Sequence, residues 1–195
     1  MPRALTRFRK DKKGLAAVEF AFVAPVMLTF FFGLVEVSQA LLCRSDVINL
    51  AAVGADLVAQ ESTVSNTDMA NVFAALNATL FPYDTSKATI VIASLVDNNV
   101  AGQGKVAWCN GYTNNARADA VCATGPVNYS VNQVITMPSV AGGPYLITPG
   151  GGGSVIVASV IYNYSSAVSS YFVGNVTMTN TFYAKPRLSA QVAHS

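Results

Sequence analysis

The apolar run from Leu15 to Val35, LAAVEFAFVAPVMLTFFFGLV, constrains the fold of this chain more than any other segment. At 1.5 Å per residue, a helix of this length spans roughly 30 Å, which is the thickness of the hydrocarbon core of a bilayer. A cleaved secretory signal has a shorter apolar core followed by a small-residue site of the A-x-A kind, and no convincing site follows Val35. We therefore predict a single membrane-spanning helix that is either uncleaved or trimmed only at its N-terminal end.

Residues 1–14, in front of the apolar run, form a basic leader with six basic residues and one aspartate. The rest of the chain carries nine acidic and six basic residues. A basic run can bind nucleic acid, but beside an apolar span it is typical of a segment that stays in the cytoplasm. We predict a cytoplasmic N-terminus, a single pass through the inner (cytoplasmic) membrane, a periplasmic or extracellular C-terminal domain, and no nucleic-acid partner.

Glu19 is the ionisable residue inside the apolar run. A charged side chain in an apolar span costs several kcal/mol, on the order of 3, unless it is neutralised, hydrated or paired. One interpretation is that Glu19, only a turn into the helix, reaches the headgroups. Another is that the chain is cut after Gly14, so that the new amino group of Leu15 is a cation and Glu19 becomes the fifth residue. In a packed bundle of helices, that carboxylate can neutralise the amine of an adjacent subunit.

The residues after the span predict one α+β domain carried by a helical stem. Helical periodicity continues to residue 60 and places Val47, Leu50 and Leu57 on one face, which we expect to pack on the domain. STVSNTD supplies cap residues for a second short helix, DMANVFAALNATLF, which Pro82 terminates. The predicted division is a leader at 1–14, a transmembrane and stem helix at 15–60 and an extracytoplasmic domain at 61–195.

Five segments rich in β-branched residues follow and predict strands. They are ATIVIASLV, GKVAW, VNYSVNQVITM, SVIVASVIYNY and NVTMTNTFYA. Turn-forming runs of Gly, Pro and Ser separate several of them, which favours an antiparallel sheet packed against the stem.

The polar residues do not form a recognisable catalytic, metal or cofactor site. The run Gly150–Gly153 lacks the GK[ST] of a phosphate loop and precedes a strand. His194, the single histidine, lies beside the C-terminus, where we expect no rigid shell to orient it as a base. Asp56 is expected to be solvated. Cys109 and Cys122 can form a disulfide if their domain lies outside the cytoplasm, whereas two cysteines without a nearby histidine are poor evidence for zinc. We predict no enzyme activity, no metal and no cofactor.

The string KKGLAAVEFAFVAPVML resembles the processing region of type IV prepilins, in which a peptidase at the cytoplasmic face cuts after the glycine. AAVEFAFVAP is similar to the TadE-like pseudopilins, or minor pilins, of the tight-adherence (Tad/Flp) pilus system. The resemblance implies that Gly14 precedes the cut, that Leu15 is the new N-terminus, and that Glu19 is a determinant of processing and assembly. It also implies a pilin-like fold.

The C-terminal part adds a second resemblance to TadE-like proteins. These tend to finish with a strand bearing alternating tyrosines and an arginine-containing tail after a proline, which Tyr162, Tyr164, Pro186 and Arg187 match. The chain departs from the short major Flp pilins in its Glu19-Phe20 pair, where they usually have tyrosine after the glutamate, and in its large C-terminal part. The resemblance therefore implies an accessory pseudopilin and not the main filament subunit.

Two functions fit these observations. A pseudopilin that supports pilus biogenesis and surface adhesion has prepilin peptidase, other pilins and pseudopilins, the Tad inner-membrane assembly proteins and the membrane as its partners. An uncleaved envelope-anchored binding module also accounts for the anchor, but it leaves the spacing from Gly14 to Glu19 as a coincidence. An anchored enzyme needs a polar cluster that the sequence does not show.

Overall fold

The computed structural model describes residues 13–119, 121–124, 128–138, 146–166 and 174–195. Residues 1–12, on which the predicted orientation across the membrane rests, lie outside the described residues. One helix, α1, runs from Lys13 to Ala59 and continues through Pro25. The hydroxyl of Thr29 donates a hydrogen bond to the Pro25 carbonyl at 2.8 Å, one of the local bonds that membrane helices use around proline.

The two halves of α1 have different environments. No side chain between Gly14 and Val35 is buried, although most of them are apolar. From Glu36 onward, covered positions recur every three or four residues, which is the spacing of one face of a helix. They are Glu36, Ala40, Cys43, Val47, Leu50 and Gly54. The stem therefore packs on the domain, as its apolar stripe predicted.

A second helix, α2 (Asn66–Thr79), returns beside the stem. Ser65 caps it, because its hydroxyl accepts from the Asp68 amide at 3.2 Å while the Asp68 carboxylate accepts from the Ser65 amide at 2.9 Å. This capping box satisfies two amides that the first helical turn leaves without partners. The predicted second helix is thus confirmed, beginning two residues earlier than expected and ending before Pro82.

The strands form one antiparallel sheet and one short parallel pair. In chain order they are β1 (Thr63–Val64), β2 (Ala88–Asp97), β3 (Gln103–Thr113), β4 (Ala116–Arg117), β5 (Val134–Thr136), β6 (Ser154–Tyr164), β7 (Val176–Ala184) and β8 (Ala193–His194). The sheet order is β4-β3-β2-β6-β7, with β5 also paired to β3, while β1 pairs with β8. A 3₁₀ turn, Thr85–Lys87, precedes β2, and a short helix α3, Val121–Thr124, follows β4.

Both faces of the central strands are buried, each against a different layer. Ile90, Ile92 and Ala158 face the two helices, and Val91 and Val157 face residues that follow β3 and β5. Small residues bring α1 close to the sheet. A Cβ built on Gly54 would lie 3.6 Å from Ile92 Cδ1 and 3.7 Å from Ala158 Cβ, both of them in the sheet. The predicted α+β class, with a long N-terminal helix, one more short helix and an antiparallel sheet, is confirmed.

The C-terminal tail crosses the end of α1 and joins it to the sheet. The Arg187 amide donates to the Ala59 carbonyl at 2.9 Å, which satisfies a carbonyl that the end of the helix leaves open. The Arg187 side chain forms an ion pair with Asp56, whose side chain is 40 % exposed, so Asp56 is in contact with solvent as predicted and is also paired, which was not predicted. Trp108 Nε1 donates to the Val192 carbonyl at 2.8 Å, which fixes the tail on β3.

One predicted strand is much shorter than expected. Of VNYSVNQVITM, whose residues 128–137 the structure describes, Val134–Thr136 is the part of that range that pairs in the sheet. Asn132 has a φ of 71°, a left-handed conformation that ends an extended segment. Two backbone hydrogen bonds hold this turn, since the Val106 amide donates to the Gln133 carbonyl and the Asn132 amide donates to the Val106 carbonyl. The polar residues there favour a turn over a strand, although the β-branched residues around them predicted a strand.

Candidate processing and assembly site

The peptide between Gly14 and Leu15 lies in the first turn of α1, which begins at Lys13. A Cβ built on Gly14 meets no heavy atom within 4 Å, and Leu15 is 59 % exposed. The peptide therefore lies clear of the folded domain. An enzyme acting at this end of the helix would meet no obstruction from the described residues.

Glu19 lies one turn after Leu15 on the same helix. Residues four apart in a helix share a face, so the Glu19 carboxylate and the Leu15 backbone lie on one side of α1. Glu19 is exposed, and no described residue forms a hydrogen bond or an ion pair with it. The carboxylate is therefore available to a cation outside the folded domain.

Glu36 is a second acidic residue of α1, and its environment is the opposite. It is only 4 % exposed and accepts hydrogen bonds from the Tyr164 hydroxyl at 2.9 Å and from the Ser166 hydroxyl at 2.6 Å. Burial, together with the bond to Glu36, raises the pKa of Tyr164 to about 12, so its hydroxyl stays protonated and can donate. We call Glu36, Tyr164 and Ser166 the stem clasp, because they join the stem to the end of β6.

The stem clasp was not predicted from the sequence. Glu36 directly follows the apolar run. Tyr164 drew attention only through the resemblance to TadE-like proteins. The signal that could have revealed Glu36 is its spacing. It stands four residues before Ala40 and seven before Cys43, on the face that packs against the sheet. An acid at the head of an apolar stripe must find donors when that stripe is buried.

The three cysteines have different states in the structure. Cys109 in β3 and Cys122 in α3 are joined by a disulfide, the pairing that the sequence left open. Cys43 is free and fully buried against the sheet. Burial, assisted by nearby Asp46, raises the pKa of the Cys43 thiol to about 11, which keeps it protonated and poorly nucleophilic.

A groove of about 460 Å³ runs between the stem and β7, the last strand of the sheet. Val37, Leu41 and Ile48 contribute to its helical wall, and residues 176–180 form the other wall. No strand among the described ranges pairs with the outer edge of β7. The groove thus combines an apolar helix face with an open strand edge, which are features of surfaces that receive another chain.

His194 is better ordered than its position in the sequence suggested. It belongs to β8, its ring centroid lies 5.4 Å from that of Trp108, and its Nε2 is buried without a partner among the described residues. The expectation that nothing rigid surrounds it is therefore wrong. Within the described parts of the chain, no group of three His, Cys, Asp or Glu side chains comes together where it could hold a metal ion.

These features define a class of protein in which an apolar helix continues as the stem of an antiparallel α+β domain. By length and composition α1 can cross a membrane, since the mean hydropathy of its most apolar window is 2.1 and none of that window is buried. The family described as TadE-like protein matches this chain over residues 14–56. The predicted resemblance to TadE-like proteins of the Tad pilus system is thereby confirmed.

The matched segment begins at Gly14, includes Leu15 and Glu19, and extends into the stem to Asp56. Tyr162, Tyr164, Pro186 and Arg187 lie outside it, so the resemblance at the C-terminal end stays a prediction. No curated protein and no solved structure matches the chain significantly.

Proposed function

We propose that this protein is a pseudopilin, or minor pilin, of a Tad pilus. Prepilin peptidase cuts it after Gly14, and the mature helix that starts at Leu15 then assembles beside other pilins and pseudopilins. The chain is the substrate of the peptidase and carries out no catalysis of its own. The family match over residues 14–56 supports a role in a Tad pilus system.

Glu19 carries this proposal. Its carboxylate lies in an apolar, uncovered helix segment and finds no partner among the described residues. Removal of the leader creates an amino group at Leu15, where the positive end of the helix dipole disfavours a second positive charge. When two mature helices pack side by side, the carboxylate of one and the amine of the other neutralise each other. This one contact removes the free-energy cost of an unpaired carboxylate and that of an unpaired amine, and it sets the register between subunits.

The exposed apolar surface beyond Val35 also supports assembly through α1. Leu41 and Leu42 are each 62 % exposed, and Ile48 is 44 % exposed, although all three lie past the predicted span. Apolar side chains this exposed along one element are typical of interaction surfaces. Helices of neighbouring subunits are the partners that the proposal supplies.

The proposed arrangement places the chain in the inner membrane, with residues 1–14 in the cytoplasm and residues 61–195 outside it. The Tad inner-membrane assembly proteins then meet the leader and the span, while the outer domain contributes to the pilus and to surface adhesion. An extracytoplasmic domain is consistent with the disulfide between Cys109 and Cys122, since disulfides persist in oxidising compartments.

The test replaces Glu19 by glutamine in cells that assemble the pilus, with Glu61→Gln as the matched control. Glu61 is also exposed, but it follows the end of α1 and lies outside the apolar segment. We expect Glu19→Gln to lower the number of assembled pili strongly and Glu61→Gln to leave it unchanged. Glu19 lies far from the packed core, so the thermal unfolding of the outer domain should be the same in both variants. Normal pilus numbers with Glu19→Gln would overturn the proposed role of this carboxylate.

A further inference from the structure

The turn formed by residues 80–84 lies at the end of the outer domain that faces the predicted span. It connects α2, which runs back along the stem, to the start of β2. The Tyr83 hydroxyl donates to the Gln39 carbonyl at 3.2 Å. Gln39 is four residues beyond Val35, or about 6 Å along a helix axis. The headgroup region extends roughly 5–7 Å beyond the hydrocarbon core on each side, so the Tyr83 hydroxyl lies at the level of the headgroups.

Phe81 projects from this turn into the surroundings. It is 83 % exposed, more than any other large apolar side chain among the described residues. Its neighbours are fixed, since Leu80 is fully buried and the Tyr83 amide donates to the Leu80 carbonyl at 2.8 Å. The Tyr83 ring in turn packs edge-on against Tyr162 of β6, with centroids 6.3 Å apart. The exposure of Phe81 is therefore a property of an ordered turn.

We propose that Phe81 inserts into the interfacial region of the bilayer that α1 spans, so that the outer domain rests on the membrane at a second point. This inference depends on the membrane anchoring in the proposed function. The partner is the lipid surface itself, at the boundary between headgroups and acyl chains, where aromatic and large apolar side chains are favoured. The Tyr83 hydroxyl lies at the level of the headgroups, and its partner Gln39 is only four residues from the end of the span. The surface nearest to Phe81 outside the protein is therefore the bilayer.

Contact with the bilayer at two points restricts the orientation of the outer domain, which a single anchor does not. A single helix leaves its domain free to tilt, whereas the span and Phe81 together fix which side of the domain faces the membrane. The groove between the stem and β7 is then held at a defined height above the bilayer. Movement of the subunit out of the membrane must withdraw Phe81 together with the span.

The test uses fluorescence quenching of the full-length protein in phosphatidylcholine vesicles, with and without bromine on the acyl chains. The native chain has one tryptophan, Trp108, which is largely buried in β3 opposite Ser94. That position is six residues along β2 from Ala88, or about 20 Å farther from the membrane. The wild-type emission should therefore not be quenched by brominated lipid.

Three variants each add one tryptophan at an exposed position. Phe81→Trp places it on the turn, Phe30→Trp places it within the span, and Leu188→Trp places it beside the far end of α1. Ala59, which bonds to the residue before Leu188, is about 36 Å along the helix from Val35. We expect brominated lipid to quench the added emission of Phe30→Trp and Phe81→Trp, and to leave that of Leu188→Trp unchanged.

The outcomes separate this inference from the anchoring on which it depends. Quenching of Phe30→Trp without quenching of Phe81→Trp would overturn the second contact and leave the anchor intact. If neither is quenched, the span itself does not enter the bilayer and both ideas fail. If the Phe81→Trp emission is shifted to the blue only at high protein-to-lipid ratios and is not quenched by bromine, a second copy of the chain covers Phe81, which also overturns the contact with lipid.

Discussion

Replacement of Tyr164 by phenylalanine tests whether the stem clasp holds α1 to the outer domain. Tyr164 is 3 % exposed and Glu36 is 4 % exposed, so water cannot replace the lost hydroxyl without a rearrangement. The substitution keeps the ring and removes only the donor that lies 2.9 Å from the carboxylate. The Ser166 hydroxyl, at 2.6 Å, remains as a donor to Glu36.

The expected destabilisation follows from the charge of the acceptor. Hydrogen bonds to charged groups contribute about 1.5–3 kcal/mol, and the remaining bond from Ser166 favours the lower part of that range. We therefore expect Tyr164→Phe to lower the free energy of unfolding by about 1.5–2 kcal/mol. For a domain of this size, that corresponds to a decrease in Tm of about 3–8 °C.

The assay is thermal unfolding of the full chain in detergent micelles, followed by near-ultraviolet circular dichroism. Tyr129→Phe is the matched control, because Tyr129 is also buried but its hydroxyl lies 3.3 Å from the uncharged Ser159 hydroxyl. A bond that long between neutral groups contributes less than about 1 kcal/mol. A Tm for Tyr164→Phe that equals or exceeds that of Tyr129→Phe would refute the assigned strength of the clasp.

The difference in stability between the wild type and Tyr164→Phe should change with pH in one direction. The pKa of Tyr164 rises from 10.0 to about 12 in the folded protein, so the folded state favours the protonated hydroxyl. Its contribution is fully present below pH 10.0 and is lost as the pH rises from there through 12. The difference in stability between the wild type and Tyr164→Phe should therefore be constant near neutral pH and decrease above pH 10.0.

Substitutions at three other contacts can be tested by the same unfolding assay. Gly54→Ala should be close to neutral, because the one tight contact of its Cβ is with the flexible end of Leu76 and alanine adds up to about 1 kcal/mol of helix propensity. Gly54→Leu should instead cost about 1–3 kcal/mol by overpacking. Replacement of Cys109 and Cys122 by serine should cost about 3 kcal/mol, and two free thiols in protein from the cell envelope would contradict the disulfide. Arg187→Met should cost less than about 1 kcal/mol, because its side chain is 63 % exposed, and a larger loss would show that its pair is stronger than other surface ion pairs.

Much of the fold was predictable because its elements have strong local patterns. The apolar run predicts α1, Ser65 and Asp68 mark the start of α2, and β-branched runs predict β2, β6 and β7. These signals act over a few residues, so they do not depend on the rest of the fold. The match to TadE-like proteins also covers the segment whose residues are most distinctive.

The features that sequence did not predict depend on residues far apart in the chain. Glu36 and Tyr164 are 128 residues apart, and neither reveals the other by spacing. The ion pair between Asp56 and Arg187 spans 131 residues. Such contacts arise only after the sheet has placed the end of β6 and the C-terminal tail against the stem. Phe81 was predicted as a helix residue, and only the fold shows that it lies exposed in a turn next to Tyr83, which contacts the stem at Gln39.

Processing after Gly14 is tested by the intact mass and N-terminal sequence of the protein from cells with and without prepilin peptidase. Gly14→Arg serves as the control within the chain. We expect a chain that lacks residues 1–14 and begins with a free or methylated Leu15, and this species should be absent both without the peptidase and in Gly14→Arg. A leader that remains attached in every case would contradict processing and would favour an uncleaved binding protein anchored in the envelope.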